Sequence, residues 1–390
     1  MKMKLKPYWR KSLDSLQTFF DDQPFDYKIK DKDSILIDAL RDNLLYQYKN
    51  CLPFKRLLEK RNFDPTKKFD LKDIPYIPVT IFKDYELKSV KDDLIVRKLT
   101  SSATTSQNPS QIFIDKDTRT NQMRSLVWIL SSFLGKKKMP YLIMDIDPNQ
   151  NKGNFEISAR GAAIRGFLIG ASKSSFCMNK HLEIDYEKFY SLIKGYNNTN
   201  ERFVLFGYTY IMYLHVAMEM KKKGEKLNLK NCIIMHIGGW KKLYDQNVSK
   251  EEFNKNLVDV FGVKNENILD VYGFTEQLGT VYISKGNGMK EIPKISKVIV
   301  RDPYTLEVLK DNKEGLLQFL NPIPYSYPGL SVLTDDLGIK KTIDNKEYFE
   351  ITGRAKNSEI RGCGDCLLYT SDAADDSLRV DLGGRRIIKK

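Results

Sequence analysis

The feature that most constrains this chain is an alternation. Short runs rich in β-branched and aromatic residues, Tyr141 to Met144 with Asp145 following, Phe203 to Phe206, Cys232 to Met235 and Ile268 to Val271, are separated by longer stretches with helical spacing. Those stretches are Arg119 to Leu134, Tyr186 to Lys194, Tyr210 to Lys222 and Lys250 to Phe261. Helices of this length between strands act as crossovers, and crossovers make the strands parallel. The expected fold class is therefore α/β: parallel-rich sheet flanked by helices, with ligands beyond the carboxyl ends of the strands.

The flanks read differently. Apolar residues at helical spacing, Ile35, Ile37, Leu40, Leu44, Leu45 and Tyr48, end at the Pro-bearing stretch Asn62 to Pro65 and predict a helical N-terminal cap over 1–65. Ile74 to Lys83 carries two prolines and reads as extended. From Ser296 to Phe349 short strands and turns predict a small β-rich subdomain. The expected organisation is a cap (1–65), an α/β core (66–295), a β-rich subdomain (296–365) and a tail (366–390). The tail changes composition and has no periodic apolar face, so it reads as non-native and is left out of the fold reasoning.

With 390 residues the chain can hold one large domain or two ordinary ones. Its 41% apolar and 29% charged residues exclude a disordered chain. The net charge of +14 would suit a nucleic-acid binder if it were clustered. It is not: runs such as Lys136 to Lys138 are short, and acidic residues interleave, as in Asp31-Lys32-Asp33, so the surplus reads as a Lys-rich solvated surface. No aromatic-basic recognition motif appears, and nucleic-acid binding is the remote alternative. Five irregularly spaced cysteines argue for a reducing compartment, the cytoplasm by default. There is no signal-peptide core and no transmembrane segment.

Four motifs carry chemistry. Thr100 to Ser110 places seven hydroxyl residues in eleven positions, a loop whose O–H and N–H groups suit polyphosphate. Asp270-Val271-Tyr272-Gly273-Phe274-Thr275-Glu276 runs a strand into a Gly turn, with an aromatic to stack on a base and a carboxylate able to hold Mg²⁺ beside phosphates. Thr334-Asp335-Asp336-Leu337-Gly338 offers a carboxylate in a turn for a ribose diol. The fourth is Thr352-Gly353-Arg354, running on to Glu359-Ile360-Arg361-Gly362-Cys363.

In this order and spacing the set resembles the adenylate-forming superfamily, and within it the acyl-protein synthetase family. The Ser-Ser-x-Thr-Thr form of the loop, Ile74 to Lys83, Ser158-Ala159-Arg160-Gly161, Gly238-Gly239-Trp240-Lys241 and the segment ending at Cys363 support the narrower match. The resemblance implies that a carboxylic acid, fatty or similar, is converted with ATP and Mg²⁺ to an acyl-adenylate. The acyl group then passes to a protein cysteine and on to an acyl-accepting partner protein, a reductase or transferase. It implies nucleotide-binding roles for Ser101, Ser102, Thr104, Thr105, Tyr272, Gly273, Thr275, Asp336 and Arg354, with Thr104 and Glu276 catalytic and Glu276 the Mg²⁺ ligand. Cys363 would be the acyl-accepting thiol, helped by Arg361, since the thiolate is the nucleophile. His236, Gly238, Gly239 and Trp240 would form the acyl pocket, although a histidine at a strand end also reads as an ordinary satisfied core group. Departures from the superfamily pattern are Ala103 and Ser106 where Gly is usual, Asp335 where Gly is usual, and no separate lid with a catalytic Lys. The alternative within enzymes is an acid:CoA ligase of the phenylacetate type.

Overall fold

A computed structural model describes residues 16–100, 110–147, 159–238, 248–286 and 288–355. In chain order the elements are α1 (Ile29–Asn50), α2 (Leu52–Lys60), β1 (Ile77–Pro78), α3 (Ile81–Asp84), β2 (Ile95–Thr100), β3 (Gln111–Asp115), α4 (Lys116–Leu134), β4 (Met139–Met144), α5 (Ala159–Phe167), β5 (Ala171–Phe176), α6 (Tyr186–Thr199) and β6 (Phe203–Tyr208). A composite helix runs on through Thr209–Ile211, a π-helical Met212–Ala217 and Met218–Lys222. Then come β7 (Cys232–Ile237), α7 (Lys250–Phe261), β8 (Ile268–Tyr272), β9 (Tyr282–Lys285), β10 (Lys290–Glu291), β11 (Lys297–Arg301), β12 (Glu314–Leu320), β13 (Ser331–Ile343) and β14 (Lys346–Arg354).

The expected α/β sheet is present, in the order β5-β4-β6-β7-β8-β9, with every pairing parallel except the antiparallel edge strand β9. β4 and β7 are buried at every position, as the strands of a sheet covered on both faces must be. One face packs on α6, the composite helix and α7 through Phe189, Phe203, Val216 and Leu257. The other packs on α4 and α5 through Leu126, Ile164 and Phe206. Caps set the helix limits: Ser249 Oγ accepts from Glu252 N at 3.1 Å, and Gly262 closes α7 in the left-handed conformation. That Ser, the Glu three residues on and the Gly are all visible in the sequence, and α7 has the limits read there.

The second sheet, β10-β14-β13-β12-β11, is antiparallel, with β1 added parallel to β13. β2 and β3 form a separate antiparallel pair. One apolar core joins the N-terminal helices to this second sheet, with Leu36, Leu40, Phe54, Ile74, Ile112, Leu320 and Tyr327 all buried in it.

Several expectations need correction. The buried face of α1 is Leu36, Ala39, Leu40, Asn43, Leu44 and Gln47, while Ile35 is exposed. The polar Asn43 and Gln47 belong to that face because they bond the carbonyls of Pro322, Pro324 and Tyr325. Ile74 to Lys83 is extended at Ile74 and in β1; beyond Pro78, where no further proline blocks it, the chain turns into α3. The stretch read as short strands includes the long β13. Lys32, read as part of a solvated surface, is fully buried because Glu347 receives it. Among the described residues no helix is long and apolar enough to cross a membrane.

Candidate functional site

β6, β7 and β8 end side by side, with Tyr208 beside Ile237 and Ile237 beside Val271. Tyr272, the last residue of β8, therefore stands at the carboxyl edge of the parallel sheet. Its hydroxyl donates to Asp336 Oδ2 at 2.7 Å. Burial, then the Asp336 carboxylate, push the phenol well above its ordinary pKa, so it remains a donor at neutral pH. The half-buried ring packs among Phe319, Phe349, Phe274 and Tyr282, where the two sheets meet.

Asp336 lies on β13 directly across from Arg354 on β14. Thr334 Oγ accepts from Asp336 N and donates to Leu317 O, which fixes the backbone bearing the carboxylate. Arg354 reaches the neighbouring carboxylate instead, its Nη2 3.3 Å from Asp335 Oδ2. Asp335 is buried and Arg354 exposed. The Asp that stands where the superfamily has Gly is thus used, as the anchor of Arg354.

The turn after β8 is held by Gln277, whose Nε2 donates to Phe319 O and Gly329 O. Gly279 follows at φ +89°, so close to α4 that a Cβ would lie 2.4 Å from Gln122 Cα, and only glycine fits there. This packing buries Glu276, which is 3% exposed. Burial raises its carboxyl pKa; the Ser110 hydroxyl, which donates to it, and the positive charge of Lys83 pull it back, and Asp335 pushes it up. Ser110 is the last residue of the hydroxyl-rich loop, and Lys83 the last of the Ile74 to Lys83 stretch. Both motifs therefore arrive at the Glu276 carboxylate, with Tyr327 close enough to feel its charge.

The structure thus gathers Tyr272, Gly273, Thr275, Glu276, Asp336 and Arg354 at one edge of the sheet. Gly238 follows the end of β7 at the same edge, while His236, on β7, is buried against Phe253 of α7. Ser101, Ser102, Thr104, Thr105, Gly239, Trp240, Cys363 and the tail lie outside the described residues. Lys83, Asp335 and Thr209 were not assigned from the sequence; Lys83 had a signal, its place in a quoted motif, but no partner to give it a role. Among the described residues no cluster of three or more His, Cys, Asp or Glu could hold a metal ion alone. The single carboxylate of Glu276 fits Mg²⁺ only in the mode in which substrate phosphates and water supply the other ligands.

The family model for acyl-protein synthetase, LuxE, matches residues 11–370. A long-chain-fatty-acid–luciferin-component ligase of Vibrio harveyi is 24% identical over 358 residues, covering 90% of this chain and 92% of that one. One of Aliivibrio fischeri is 28% identical over 190 residues, 46% of this chain and 49% of that one. Among solved structures, an open conformation of 2-hydroxyisobutyryl-CoA ligase, in complex with 2-HIB-AMP and CoA, superposes with a TM-score of 0.63 at 13% identity, covering 85% of this chain and 76% of that one. That likeness shows that the chain shares the fold of that ligase. The family model covers most of the chain, and the chain therefore belongs to the acyl-protein synthetase family.

Proposed function

We propose that the chain activates a carboxylic acid with ATP at the carboxyl edge of the parallel sheet and passes the acyl group to a thiol, with the residues gathered there dividing the work. The observation that carries this reading is the 2.7 Å bond from Tyr272 to Asp336, which brings motifs 64 residues apart to one place.

The acid's carboxylate attacks the α-phosphorus of ATP, the bond to pyrophosphate breaks, and acyl-AMP forms. A thiolate then attacks the acyl carbon and AMP leaves. Asp336, held by Tyr272, accepts from the ribose hydroxyls; Arg354, held by Asp335, donates to ribose or phosphate oxygen. Tyr272 with Gly273 borders the base. Two anions meet in the first step, so fixed donors and positive charge must oppose their repulsion. Ser101, Ser102, Thr104, Thr105 and Thr275 supply donors, and Lys83 supplies charge near Glu276. Mg²⁺, held by Glu276 and the phosphates, would neutralise phosphate charge when bound; Ser110 and Lys83 favour the ionised carboxylate that such binding needs. Gly238, Gly239 and Trp240 border the acid.

The Vibrio harveyi relative is named for a long-chain fatty acid, and a fatty acid is the substrate class proposed here. Cys363 is the proposed acceptor, passing the acyl group to a partner reductase or transferase. Acid-dependent exchange of labelled pyrophosphate into ATP tests the first step; its absence with fatty acids of every length overturns the reading. A hydroxylamine-sensitive acyl label on the protein, lost in Cys363→Ser, tests the second. CoA-dependent AMP release without that label would overturn transfer to the cysteine.

A further inference from the structure

Thr209 and Gly238 follow the paired ends of β6 and β7, and Tyr272 follows Val271, the β8 partner of Ile237. Gly238 has φ +94°, and a Cβ there would lie 2.8 Å from the Tyr208 ring, so the turn requires glycine. A glycine turn is compliant, and its carbonyl needs something to hold it. Thr209 Oγ lies 3.1 Å from Ile237 O, 3.1 Å from Gly238 O and 2.9 Å from His236 Nδ1. A hydroxyl has one proton and carbonyls only accept, so that proton serves the two carbonyls. The third contact is then satisfied only if Nδ1 carries hydrogen and donates to Oγ.

This assigns the tautomer: His236 is protonated at Nδ1 and bare at Nε2. Consistently, Nε2 is buried with no hydrogen-bond partner among the described residues. The ring is pinned against Phe253, with centroids 4.7 Å apart. Burial lowers the His236 pKa to about 4; Asp270 pulls it up, while Lys290 and Lys250 press it down, so the imidazole is neutral at physiological pH.

We infer that His236 and Thr209 are positioning residues: the imidazole Nδ1–H orients the Thr209 hydroxyl, which holds the Ile237 and Gly238 carbonyls and so sets the turn that borders the carboxylic acid beside Tyr272. The inference rests on the proposed function for its consequence and on the geometry for its cause. His236 acts from behind the turn and touches no substrate.

Two measurements on the full chain test it. Long-range ¹H–¹⁵N correlation spectra of the wild type report the tautomers of its three histidines. His236, assigned by the signal lost in His236→Asn, is expected as the Nδ1–H form from pH 6 to 8; the Nε2–H form overturns the inference. Acid-dependent pyrophosphate exchange then reads the consequence. Thr209→Val, isosteric but without the hydroxyl, is expected to raise KM for the acid about tenfold, the loss of one oriented hydrogen bond, and to leave KM for ATP unchanged. Thr209→Ser should restore the acid KM. An acid KM unchanged in Thr209→Val, or both KM values raised alike, overturns the positioning role. If Thr209→Val does not fold, an acid KM raised as much in Thr209→Ser as in His236→Asn, whose amide can still donate, overturns it instead. Wild-type protein that shows no exchange with any acid sinks the proposed function and leaves the tautomer assignment standing.

Discussion

The β13–β14 hairpin carries charges at both ends, and the two ends are built oppositely. Near its tip Glu347 is buried and receives Lys32 at 2.9 Å, Lys297 at 2.8 Å and Lys340 at 3.5 Å. Lys297 also binds Asp33 at 2.7 Å and Lys340 binds Asp311 at 2.8 Å, so these groups are bonded in a closed network. At the other end Arg354 is exposed, with a 3.3 Å contact to Asp335, and Asp336 is half-buried with one oxygen on Tyr272. One end is saturated and ties α1 to the second sheet. The other presents an exposed guanidinium and a half-buried carboxylate at the edge of the sheet. Charge in this chain is structural where opposite charges enclose it, and suited to ligands where it reaches the surface beside the sheet edge.

Breaking the saturated end should have the largest effect. Burial opposes the Glu347 carboxylate, but Lys32 and Lys297 hold its pKa down, to about 2. Glu347→Ala leaves the Lys32 ammonium buried without its carboxylate, a change that costs about 3 to 5 kcal/mol. Urea denaturation should show that loss, with exchange per folded molecule unchanged. The pH dependence has a definite sign: the folded pKa lies below the unfolded value of 4.5, so the contribution is complete above about pH 4.5 and is lost as pH falls towards 2. Acid titration of Glu347→Ala should therefore lack a step present in wild type. Equal acid sensitivity in both would remove the contrast between the two ends.

That network also marks where sequence reading stopped. Lys32 looked solvated because Asp31 and Asp33 flank it, and its partner is 315 residues away. Local signals were sufficient where the physics is local: β4, β6, β7 and β8 announced themselves as apolar runs, and α7 by its helical spacing. They failed where a distant partner decides. Asn43 and Gln47 are polar yet buried, because loop carbonyls meet them. β9 is an edge strand with no crossover to announce it. At the site, Tyr272, Glu276, Asp336 and Arg354 were legible as motifs. What was not legible is which carboxylate takes Tyr272 and which takes Arg354, since β-pairing between positions far apart makes that choice.

At the open end, effects should appear in catalysis rather than folding. Asp336→Asn keeps the shape but removes the charge that accepts from ribose, and exchange should fall about 100-fold, the scale of two charge-assisted hydrogen bonds. KM for ATP should rise while the urea midpoint stays near wild type. Tyr272→Phe removes only the hydroxyl that orients Asp336, so about tenfold is expected, the worth of one hydrogen bond. If Tyr272→Phe instead lost as much as Asp336→Asn, the tyrosine would be doing more than orienting its neighbour.

The smallest effect belongs to Arg354 and Asp335. Their contact is long, one nitrogen to one oxygen, and the Arg354 side chain is 45% exposed, so water screens it. A double-mutant cycle of Arg354→Gln and Asp335→Asn, read by urea denaturation, should give a coupling under about 1 kcal/mol. Read by exchange, the same cycle should give more. Asp335 then acts only by aiming Arg354 at the nucleotide, so Asp335→Asn should have little further effect once Arg354→Gln is present. A stability coupling as large as that of Lys32 with Glu347 would mean both ends of the hairpin are structural, and the distinction between saturated and open charge would fail at the site where it matters.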